Sequence, residues 1–199
     1  MPTVIVSGVT TDENAETHIL EWGAVIPSRE ALGLWVVGQK MWKVFTSNQQ
    51  CARLKGDLFR AEQYGLPIGP TRITPCRVRL PVRDVLGNFT EQHSLQSHEG
   101  FVLITNHFQG RHFTLQRGVG VFRHLILQIS NDEVLKRIDR ACSAAVAVGL
   151  RDPQGFINPT NYNPIVFIDI HLSRGGTTQA SQDMLVITQN RMASVRNHT

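Results

Sequence analysis

The spacing of apolar positions along the chain changes period several times, and each change marks an element. The chain opens with a short strand-like run, Val4-Ile5-Val6, followed by a second candidate strand at residues 18–26, "HILEWGAVI". From Ser28 to Phe45 the positions of Leu32, Trp35 and Val36 predict a helix, which Gly33 and Gly38 weaken. Ser47 and Gln50 form a capping box for a second helix, Ser47 to Tyr64, stopped by Gly65. Residues 28–64 are thus expected as a helical segment. A loop with Pro67, Gly69, Pro70 and Pro75 closes it off.

After Pro75 the pattern predicts strands at 76–82, 101–108, 111–117, 119–129, 165–172 and 183–189, a β-rich segment over about 76–190. One helix, 131–149, interrupts it. Ser130 and Glu133 make its capping box, and Val134, Leu135, Ile138, Ala141, Cys142, Ala145 and Val148 its buried stripe. Gly149 ends it. Its last turns, "ACSAAVAV", are small and apolar all round, so other elements or a neighbouring subunit are expected to cover them. The stretch 152–164, "DPQGFINPTNYNP", is expected to be irregular. No internal repeat appears. These elements predict a single α+β domain over residues 1–199: a predominantly antiparallel β sheet or sandwich with two or three packed helices.

Alternation gives the strand at 76–82 two unlike faces. In "CRVRLPVRD" Arg77, Arg79 and Arg83 share one side, while Cys76, Val78, Leu80 and Val82 share the other. Residues two apart on a strand are about 6.6–7 Å apart, close to the spacing of phosphates along an extended single strand. A guanidinium ladder of that spacing follows a phosphate backbone without reading bases. Arg72 lies within the same twelve residues, and Arg111, Arg117 and Arg123 in neighbouring predicted strands extend the candidate surface.

Composition sharpens this picture. Charged residues make up only 18% of the 199 positions and apolar ones 41%, so amides and hydroxyls must cover much of the surface. The net charge is +4, and only four of the 20 basic residues are lysines (Lys40, Lys43, Lys55, Lys136). The planar fork of arginine grips phosphate and carboxylate bidentately and tolerates interfaces better than lysine does. Either a polyanion or an acidic surface of another subunit satisfies such a bias. Three scattered cysteines, Cys51, Cys76 and Cys142, fit neither a disulfide framework nor a zinc spacing and read as reduced thiols. No signal-like N-terminus and no apolar stretch of about 20 residues predict an intracellular, cytoplasmic chain without a membrane span.

Two histidine constellations suggest chemistry. Five histidines fall between positions 93 and 124: His93, His98, His107, His112 and His124. A hairpin over 101–117 turning at Gln109-Gly110 would set His107 opposite His112, with Cβ atoms about 4.5–5.5 Å apart. That pair, with His93, His98, Glu91 or Glu99, is the candidate metal site or pH switch. Asp169 and His171, two apart in a predicted strand, form a candidate base and its orienter. Neither constellation has the fixed spacing of a known hydrolase signature, and no catalytic residue or cofactor is assigned. "SRGGTTQASQD" (173–183) is expected as a hairpin loop, and "GVG" at 118–120 lacks the setting of a dinucleotide fold.

The combined expectation is a self-assembling, non-enzymatic structural protein, coat- or matrix-like as in an RNA virus and located in the cytoplasm or in a virion. It binds RNA or another polyanion through Arg72, Arg77, Arg79, Arg83, Arg111 and Arg117. Two alternatives stand beside it. One is a metal-dependent or acid–base hydrolase using the His93–His112 cluster or Asp169 with His171. The other is a small monomeric RNA-binding adaptor.

Overall fold

The computed structural model of the chain describes residues 3–11, 14–21, 31–46, 48–69, 71–81, 95–106, 108–116, 118–168 and 170–197. It has the expected α+β class, with helices and antiparallel sheets. The chain divides into two compact units, residues 1–53 with 70–107, and residues 54–69 with 108–199.

The first unit is built on six strands: β1 (Thr3–Thr11), β2 (Asn14–Glu21), β3 (Gly33–Val37), β4 (Lys40–Phe45), β5 (Thr71–Pro81) and β6 (Leu95–Asn106). They form one antiparallel sheet in the order β2-β1-β5-β6-β4-β3. The helix expected from Ser28 to Phe45 is corrected here: its described part, from Ala31 on, contains the β3–β4 hairpin. Gly38, at φ +58°, begins the two-residue turn, since Val37 pairs with Lys40. A left-handed first turn position suits glycine and matches the twist of a tight hairpin. Trp35 and Trp42 then stand opposite each other, both 2% exposed. With Val6, Val44, Val78, Val102 and Ile104 they form the core on one face of the sheet.

The second unit takes the part of α1 (Asn48–Gln63) from Leu54 onward, and then everything from Phe108. The α1 helix matches the expected Ser47–Tyr64 span and ends ahead of Gly65 at φ +68°; Ser47 lies outside the described residues. Next come β7 (Arg111–Thr114), α2 (Gly120–Leu127), α3 (Asp132–Val148), β8 (Leu150–Arg151), β9 (Gln154–Ile157), β10 (Ile165–Ile168), β11 (His171–Leu172) and α4 (Gln179–Arg196). Strands β10-β9-β7 form a three-stranded antiparallel sheet, and β11 pairs with β8. Phe113 of β7 meets Phe122 of α2 edge-on at 5.2 Å, which joins the sheet to that helix, and Phe167 of β10 in the same sheet at 6.0 Å.

Helix α3 lies within one residue of the expected bounds at each end and buries the expected stripe, except that Val134 is only partly buried. Its N-cap is Asn131 rather than Ser130: the Asn131 side chain accepts from the backbone N–H groups of Glu133 (2.9 Å) and Val134 (3.2 Å). Gly149, at φ +72°, ends the helix as expected. Two predicted strands are corrected to helices. Residues 119–129 hold α2, whose Phe122, Leu125 and Ile126 are buried together with Ile129, at helical spacing. Residues 183–189 lie inside α4, where Met184 and Thr188, one turn apart, are buried and Val186 between them is 53% exposed. The hairpin predicted over 101–117 does not form either. Strand β6 pairs with β4 and β5, and β7 pairs with β9.

Candidate nucleic-acid interface

Strand β5 carries the arginine row at the middle of the six-stranded sheet, hydrogen-bonded to β1 on one side and β6 on the other. Such a strand is held along its length, so its side chains leave the sheet at fixed spacing. The expected alternation is present. Val78 is fully buried, and Cys76 and Leu80 pack against the same core. Burial pushes the Cys76 thiol up to about 12. Arg77 and Arg79 leave from the other face, and both are exposed.

In the register Arg77 stands opposite Glu99 and Arg79 opposite Ser97. A carboxylate directly across from Arg77 offsets part of its charge and helps fix its position. Arg79 faces only a hydroxyl on that side. Arg72 departs from the row. It pairs with Ile104, which pairs with Trp42, so an even-numbered place puts it on the face opposite Arg77 and Arg79. Arg83 and Arg117 lie outside the described residues.

Arg111 belongs to the second unit, on β7, where it donates from Nη1 to Gln128 Oε1. The Gln128 amide in turn meets His124 Nε2 at 2.8 Å. Arg123 is on α2 rather than on a strand. The described ladder therefore consists of Arg77 and Arg79.

The histidine constellation loses its geometric basis. His107 and His93 lie outside the described residues. His112 pairs across β7–β9 with Phe156, whose ring it meets edge-on at 5.2 Å. Burial lowers its pKa from the ordinary histidine value. His98 and Glu99 are neighbours on β6 and so point to opposite faces of the first sheet. Among the described residues no three metal-binding side chains come together. His171 stands opposite Arg151 in the β11–β8 pair, and Asp169 lies outside the described residues. The 173–183 stretch leads into α4 instead of joining two strands; Thr178 caps the helix by accepting from the Ser181 N–H.

Sequence reasoning missed a pocket of about 190 Å³ between α2 and α4, lined by Arg123, Leu127, Ile187, Asn190, Arg191 and Ser194. Reading both segments as strands hid it. It also passed over Tyr162, which projects from the loop between β9 and β10; the 152–164 stretch expected to be irregular contains β9. No family model matches the chain, and neither a curated protein nor a solved structure matches it.

Proposed function

We propose that the chain is a non-enzymatic structural protein that assembles with copies of itself and binds RNA through the arginine-bearing face of β5. The observation that carries this reading is the exposed Arg77–Arg79 pair at the centre of a six-stranded sheet. Arginines two apart on a strand leave the backbone about 6.6–7 Å apart, a spacing that matches successive phosphates of an extended strand. The excess of arginine over lysine supports the same chemistry. Support for assembly comes from the weakly charged surface and from Leu127 and Val186. These two lie on helices that pack together, and each is more than half exposed.

The test is the salt dependence of binding to a single-stranded RNA. Replacing Arg77 and Arg79 together by Ala is expected to weaken binding and to lower the log–log salt slope by about 1–1.5, at roughly 0.7 per phosphate contact on a single strand. An unchanged slope would remove these arginines from the interface. Equal competition by heparin would widen the ligand from RNA to polyanions generally.

A further inference from the structure

Tyr162 sits in the loop between β9 and β10 and is 82% exposed, more than any other large apolar or aromatic side chain among the described residues. Its ring is nonetheless held. The Arg137 guanidinium of α3 lies over it, 4.8 Å from the centroid, and donates from Nη1 to the Tyr162 carbonyl at 3.1 Å. The loop under it is fixed from within. The Asn158 side-chain oxygen accepts from the Thr160 N–H (3.2 Å) and hydroxyl (2.7 Å), an Asx turn. The Asn158 N–H donates to the Pro164 carbonyl at 2.8 Å, and the Asn161 N–H to the Asn158 carbonyl at 3.1 Å.

From this geometry we infer that Tyr162, backed by Arg137, is a stacking platform for an unpaired nucleobase of the bound RNA. This rests on the proposed RNA-binding function and adds a second kind of contact to it, to bases rather than phosphates. An aromatic ring held open to solvent by an ordered loop loses little entropy when a flat ligand covers it. Every base has a π-face, so such stacking tolerates sequence. The guanidinium beneath the ring attracts the flanking phosphate as well as fixing the ring.

The experiment uses the full chain and two fluorescent ten-unit strands, one of uridines and one abasic, with the same number of phosphates. Wild-type protein is expected to bind the uridine strand more tightly. Tyr162→Ala should weaken uridine binding about fivefold or more and leave abasic binding unchanged, while Tyr162→Phe keeps the wild-type preference. Equal loss on both strands, or no loss on the uridine strand, overturns the platform while leaving phosphate binding intact. No binding of either strand by the wild-type protein overturns the RNA-binding function, and the platform with it. Tyr162 is too exposed for its truncation to endanger the fold.

Discussion

Asn131 and Gly149 bracket α3 by different means, and each sets a measurable cost. The Asn131 carboxamide satisfies two N–H groups that the first turn leaves open, so Asn131→Ala should cost about 1 kcal/mol in urea unfolding. Gly149 is left-handed, and a Cβ there would come within 2.5 Å of the Gly176 carbonyl oxygen. Gly149→Ala should therefore cost more than the cap substitution does, since strain and a backbone clash add. Equal costs would mean that the 175–176 turn moves aside freely. The thiols make a pH prediction. Burial raises Cys76 and Cys142 from 9.0 to about 12 in the folded chain, with the Thr188 contact only partly opposing it at Cys142. Above pH 9 the unfolded chain loses these protons first, so their contribution to stability is full below pH 9 and is lost as pH rises toward 12. The fall in unfolding free energy between pH 8.5 and 10.5 should be smaller in Cys76→Val than in the wild type. An identical fall would show that the Cys76 thiol is not responsible.

At the scale of elements, α4 offers a sharp contrast between periods. In a strand Met184, Val186 and Thr188 would share one face; in the helix Met184 and Thr188 are buried and Val186 is exposed. In unfolding of the dissociated chain, Met184→Ala should cost about 2–5 kcal/mol and Val186→Ala within about 0.5 kcal/mol of nothing. Similar large costs at both positions would contradict the helix. The same contrast shows what the sequence made legible. Helix α3 was readable because its stripe runs over more than three turns between a polar start and Gly149. Helix α2 carried the same signal in Phe122, Leu125 and Ile126, continued by Ile129 just beyond it, but over only eight residues, and its exposed Val121 and Leu127 masked the period. In α4 the contiguous run Met184–Ile187 has no period of its own. The β3–β4 hairpin went unread because its turn residue, Gly38, looked like a weak point in a helix. Alternation along β5 was plain, and Arg77 and Arg79 lie where it put them. What no local pattern carried was pairing between distant strands, which sends β7 to β9 rather than to β6 and so takes away the opposition expected for His112.

At the scale of the whole molecule, each compact unit is assembled from two separate stretches of chain, so no single cut separates one cleanly from the other. No helix among the described residues is long and apolar enough to cross a membrane. The central claim is a particle: many copies of this chain holding RNA. Light scattering behind size-exclusion chromatography of the recombinant protein, with absorbance read at 260 and 280 nm, tests it most directly. The proposal expects a discrete species many times the 22.3 kDa of one chain, eluting with nucleic acid, and Arg77→Ala with Arg79→Ala should lower the nucleic acid it carries. A species of 22.3 kDa free of nucleic acid would contradict both the assembly and the RNA.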